Sequence, residues 1–126
     1  MIRYKYNSQY MPPAPFVYVT ARSLDGTREL ELVPAQVDVG ADRTVLPLAI
    51  ANQLGLPLVR KVPVNGLGGS ILYLPTFIAQ IQIHQLPAMS IEVLASAEEP
   101  FVLLGRDMLN SYNLFIYGPQ LALEIG

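Results

Sequence analysis

Apolar and polar residues alternate along much of the chain. Phe77, Ala79, Ile81 and Ile83 are interleaved with Gln80, Gln82 and His84, the period-two pattern of a strand with one wet face. Glu29-Leu30-Glu31-Leu32-Val33 alternates in the same way, and Phe16 to Ala21 is rich in aromatic and β-branched residues, which also reads as strand. Phe101-Val102-Leu103-Leu104 is apolar throughout, as expected of a strand buried on both faces. Ser90–Leu94 predicts a further strand, and Leu114–Tyr117 and Leu121–Ile125 predict a hairpin about Gly118-Pro119. Leu58–Val64 and Ile71–Leu74 flank the glycine-rich Asn65-Gly66-Leu67-Gly68-Gly69-Ser70. Asp25-Gly26 marks a turn, and Pro34 is expected to break the ladder before the next strand. Two short segments read as helix: Pro47–Leu54, with Pro at its first position and Gly55 at its exit, and Arg106–Tyr112. Short strands with regular turn signals make the fold class all-β.

The first ten residues carry three tyrosines and little pattern, and Met11-Pro12-Pro13-Ala14-Pro15 then favours an extended segment. This divides the chain into a tail and Pro-rich linker, 1–15, and a domain, 16–126. The tail reads either as a strand that packs on a partner subunit or as a loosely held terminus, the commoner case.

Composition narrows the function classes. The chain of 126 residues suits one domain, and with 52% apolar and 14% charged residues it can bury a core. A net charge of −2 without a basic block argues against nucleic acid as a partner. The absence of cysteine excludes disulfides and thiolate metal sites, and a single histidine, His84, excludes any site needing two. No metal or cofactor is expected. His84 is expected in solvent by a turn, with no catalytic role. The amino terminus lacks an apolar signal core and no run reaches membrane length, so the expected location is cytoplasmic, with no membrane partner.

Chemistry enters at Ala35-Gln36-Val37-Asp38-Val39-Gly40-Ala41-Asp42. Asp and Gly are depleted in strands, and an Asp-x-Gly alone is usually a turn. Here it is followed by the glycine-rich hairpin and then by Leu103-Leu104-Gly105-Arg106-Asp107-Met108-Leu109. Strand-Asp-x-Gly-Ala, glycine-rich hairpin and Leu-Leu-Gly-Arg-Asp-x-Leu, in that order over residues 16–126, resemble the retropepsins, the single-lobe aspartic proteases of retroviruses and their bacterial relatives.

The resemblance implies a closed β-barrel or sandwich with one or two short helices, acting as a homodimeric endopeptidase on peptide or protein substrates. Each chain would supply one catalytic carboxylate, Asp38. Gly40 and Ala41 would allow the substrate close, and Asp42 would contact its backbone. Gly66, Leu67, Gly68 and Gly69 would form the tip of a flap, and Val45, Leu67 and Leu103 would line side-chain pockets. Val39, Leu104, Gly105 and Arg106 would support the site, with Arg106 expected to pair with Asp42. Asp107 is expected to serve as a helix N-terminal acid. The chain departs from the family at Val39, where Thr or Ser is usual. That hydroxyl bonds the two active-site loops across the dimer axis, and valine has its shape without the bond. The resemblance therefore implies a dimer with reduced or conditional proteolysis. The alternative is a non-proteolytic module that keeps the fold for peptide binding or dimerisation.

Overall fold

The computed structural model describes all 126 residues, except that the side chain of Leu67 lies outside the described residues. Ten strands and two short helices follow in the order β1 (Ile2–Lys5), β2 (Phe16–Arg22), β3 (Glu29–Val37), β4 (Val45–Pro47), α1 (Leu48–Gln53), β5 (Leu58–Asn65), β6 (Ile71–Ile83), β7 (Met89–Ser96), β8 (Val102–Leu104), α2 (Arg106–Leu109), β9 (Leu114–Tyr117) and β10 (Ala122–Ile125). The chain is all-β, as its alternation predicts. Strands β2, β3, β8, β4, β7 and β6 follow one another around a ring that closes because β6 pairs back onto β2. Closure removes the free edges that an open sheet would expose. β5 lies outside the ring, bonded only to β6.

The core follows the period-two pattern. Val17, Val19 and Ala21 of β2, Ala79, Ile81 and Ile83 of β6, and Val102 and Leu104 of β8 all point inward and are buried. Leu46, Met108 and Leu123 join them. Gln80 and Gln82 are half-buried and His84 is exposed in a turn.

Three local expectations change. The Glu29–Val33 alternation does not hold, because the register shifts between Val19 and Ala21 of β2. The extra residue forms a bulge that turns Leu32 out to solvent at φ 55° and sends Val33 inward. Pro34 does not interrupt β3. Val37 N–H donates to Pro15 O, so by alternation Pro34 faces away from β2. On that side β8 pairs only from Ala35 onward, so the missing N–H strands no partner. Pro47 caps α1 rather than opening it. The helix exit at Gly55 is as expected, with Gly55 N–H donating to Asn52 O and Leu56 N–H to Ala51 O.

The tail is not loose. Ile2–Lys5 pairs with Ala122–Ile125, and β10 pairs in turn with β9, giving a second sheet of order β1-β10-β9. Ile2, Tyr4 and Tyr6 pack against the core. The Tyr10 ring stacks on Phe16 at 5.2 Å and meets Phe101 edge-on at 5.6 Å. The sequence hides this because β1 has too few residues to show a period. No described helix is long and apolar enough to cross a membrane.

Candidate active site

The loop after β3 is stapled to the β8–α2 corner at successive points. Asp38 N–H donates to Leu104 O at 3.0 Å, and Arg106 N–H donates to Ala41 O at 2.9 Å. The Arg106 guanidinium donates to Val39 O at 2.9 Å. At the far end of the loop, Asp107 accepts from Thr44 twice. Its Oδ1 takes the Thr44 hydroxyl at 2.7 Å and its Oδ2 takes Thr44 N–H at 2.9 Å. The hydroxyl oxygen of Thr44 in turn accepts Gly105 N–H at 3.1 Å. Thr44 is fully buried, and these bonds use its hydroxyl as both donor and acceptor.

Gly105 has no alternative here. A Cβ at that position would lie 2.5 Å from the carbonyl carbon of Arg43 and 2.6 Å from its oxygen, backbone atoms with nowhere to go. The Leu-Leu-Gly-Arg-Asp sequence is therefore a template onto which the Asp38 loop is pressed.

Within this frame Asp38 is half-buried. Its Oδ1 accepts Gly40 N–H at 3.1 Å, and among the described residues no other donor bonds its carboxylate. Val39 beside it is 60% exposed, an apolar side chain held out at the loop tip while its carbonyl is fixed from behind. Gly40 is exposed and Ala41 half-buried. Val45 and Leu103 face each other as neighbours across β4 and β8, both half-buried. Leu104 is buried.

One expectation is corrected and another is extended. Arg106 does not pair with Asp42. Its Nη1 donates to the Val39 carbonyl instead, and Asp42 stays exposed with no ion pair among the described residues. Asp107 does sit in the first turn of α2, but that helix has four residues, and the carboxylate serves Thr44, 63 positions away in sequence. Thr44 and Asp107 are the residues sequence reasoning undervalued. The available signal was a lone Thr between Arg43 and an apolar strand, too common to single out.

The glycine-rich stretch joins β5 to β6 as a hairpin, with Gly66 N–H donating to Ser70 O at 2.8 Å. Gly68 and Gly69 both take φ 78°, which residues with a Cβ adopt only at a cost. The hairpin stands across from the Asp38 loop. A cavity of about 320 Å³ separates them, lined by Asp42, Arg43, Val62, Pro63, Val64, Asn65 and Leu94. Glu92 of β7 ties the two sides. Both its oxygens accept from Arg60 of β5, at 2.9 and 3.3 Å, and Oε2 lies 3.6 Å from the Arg43 guanidinium. Its carboxyl is held below the usual range, chiefly by the Arg60 hydrogen bonds. A second cavity, of about 410 Å³, lies between tail residues 4–9 and Phe16 and Tyr18, and none of the residues above line it.

Residues 25–111, more than half the chain, match the family described as "gag-polyprotein putative aspartyl protease". The chain belongs to this family. The matched span runs from the β2–β3 turn through α2 and so includes Asp38, the glycine-rich hairpin and Asp107. Solved structures of like fold include the protease of EIAV in complex with the inhibitor HBY-793, at 24% identity and TM-score 0.59, covering 86% of this chain and 93% of that one. A retropepsin-like aspartic protease from Rickettsia conorii aligns at 18% identity and TM-score 0.63 over 97% of this chain and 88% of its own. The retroviral protease-like domain of Ddi1 from Leishmania major aligns at 16% identity and TM-score 0.53 over 87% of each. At these identities the likeness is one of fold. No curated protein matches the chain.

Proposed function

We propose that this retropepsin-like chain is an aspartic endopeptidase that works as a homodimer, each copy giving Asp38 to a shared dyad. The observation that carries the reading is the stapled loop. The Asp38 N–H and the carbonyls of Val39 and Ala41 are all bonded to the β8–α2 corner, which the buried Thr44 also joins, while the Asp38 carboxylate takes a single intrachain bond among the described residues. Two such carboxylates brought face to face cannot both ionise. They share one proton, so that one accepts a proton from the attacking water and the other donates to the substrate carbonyl. The described sequence carries one such Asp-x-Gly loop, which supplies half of this, and a two-fold axis supplies the rest. Gly40 and Ala41 let the peptide approach, Asp42 bonds its backbone, and Gly66, Leu67, Gly68 and Gly69 close over it. Val45 and Leu103 line an apolar side-chain pocket. Val39, Leu104, Gly105 and Arg106 hold the carboxylate in register.

The test is digestion of a mixed peptide library by wild type and by Asp38→Asn, with a statine-type transition-state mimic as a third arm. Cleavage that appears only in wild type and is blocked by the mimic is expected. Equal products from both chains would overturn the proposal, as would a strict monomer by sedimentation at the assay concentration.

A further inference from the structure

Charge is distributed unevenly in the cavity between the flap hairpin and the Asp38 loop. Its walls are mixed: Val62, Pro63 and Val64 on β5 and Leu94 on β7 are apolar, and Asn65 of β5 is polar. Its charged groups are Asp42 and Arg43. The nearest countercharge to Arg43 is Glu92, but Arg60 takes both Glu92 oxygens in hydrogen bonds while Arg43 stands at 3.6 Å, beyond hydrogen-bond range. Among the described residues the Arg43 side chain donates no hydrogen bond. It is a planar fork of donors, 30% exposed, on the wall of the cavity. Its backbone is immobilised, because Gly105 packs directly against the Arg43 carbonyl and the next residue, Thr44, is the one clamped by Asp107.

We infer that this cavity is an acid-selective side-chain pocket and that Arg43 sets its preference, taking a glutamate or aspartate side chain of the bound peptide. The inference rests on the reading above, in which the peptide lies between hairpin and loop and Asp42 is occupied by the peptide's N–H groups. With Asp42 so engaged, Arg43 is the charge left to read a side chain. The apolar stretch of the wall, Val62 to Val64 and Leu94, suits the methylenes of glutamate, and a guanidinium suits the carboxylate at its end. Glu92 tunes the pocket. It offsets part of the positive potential, so its removal sharpens the selection for acid.

The test measures peptide binding by fluorescence anisotropy on Asp38→Asn, so that cleavage does not intervene, and cleavage separately on wild type. Peptides share an apolar centre and carry Glu, Gln or Lys at each flanking position in turn. At one flanking position Glu is expected to bind about fivefold more tightly than Gln, the scale of one partly exposed ion pair, and Lys more weakly than either. High salt removes the difference. Arg43→Gln abolishes the Glu preference, Arg43→Lys retains part of it, and Glu92→Gln increases it. A flat Glu/Gln/Lys profile overturns the inference. So does a Glu preference that survives Arg43→Gln, or failure of every peptide to bind a chain whose circular dichroism is unchanged. Charge-selective binding without cleavage by wild type upholds this inference and sinks the protease reading. Cleavage with no charge selection does the reverse.

Discussion

Val39 and Thr44 lie on one loop, and Val39 tests the proposed pairing of two chains while Thr44 tests bonding within one. Val39 is exposed and its carbonyl is already satisfied by Arg106, so Val39→Thr costs the single chain little, within about 0.5 kcal/mol. If two copies pair as proposed, the new hydroxyls each gain a bond across the axis worth about 1 kcal/mol. The expected outcome is a dimer tightened by up to about thirtyfold, read by sedimentation, or a raised kcat/KM. An unchanged dimer and unchanged rate would remove position 39 from the interface. Thr44→Val keeps shape and burial but strands the buried Gly105 N–H and takes one hydrogen bond from Asp107. It should cost about 1–3 kcal/mol in urea unfolding. Gly105→Ala should cost at least as much through backbone overlap with Arg43. The Asp38-x-Gly40 pattern was legible in the sequence. The Thr44–Asp107 clamp was not, since its partners are 63 residues apart and each alone is an ordinary polar residue.

Elements differ in how much of their sequence speaks for them. The β2–β3 turn is local and readable. Asp25 accepts from the Ser23 hydroxyl and from the N–H and hydroxyl of Thr27. These bonds, led by Thr27 N–H, lower its pKa from 3.8 to about 2. A depressed carboxylate stabilises the fold above its unfolded pKa, and that contribution is lost as pH falls through the folded value. Wild type should therefore melt above Asp25→Asn near neutral pH, with the gap closing between about pH 4 and pH 2. A gap that persists at pH 2 would contradict the assignment. The β5–β6 hairpin announces itself by its glycines. What the glycine run cannot show is the hairpin's position opposite the Asp38 loop, which depends on β6 continuing through Pro75 to Ile83 and pairing with both β7 and β2.

At the scale of the whole molecule, the closed ring and the terminal sheet set the expectations. Removing residues 1–6 strips β10 of one neighbour and uncovers core contacts of Ile2 and Tyr4. The shortened chain should lose at least about 2 kcal/mol, measured by thermal melting. If two copies share one site, activity per chain must fall on dilution. A ninefold excess of Asp38→Asn should leave about a tenth of the activity of the same amount of wild type, because most wild-type chains then sit in mixed pairs. Activity that is independent of both would place the whole reaction centre in one chain.

The period of apolar residues, the turn residues and the order of three short motifs determined the fold class, most of the strands and the residues around Asp38. These are local properties, carried by composition and by neighbours two or four positions away. Tertiary structure alone decided which strand closes the ring, that the tail becomes β1, that Arg106 grips Val39 rather than Asp42, and that Arg43 faces a cavity. Each of those outcomes is a choice among partners distant in sequence. It is settled by the space left once the core is packed, and no single stretch of chain carries that information.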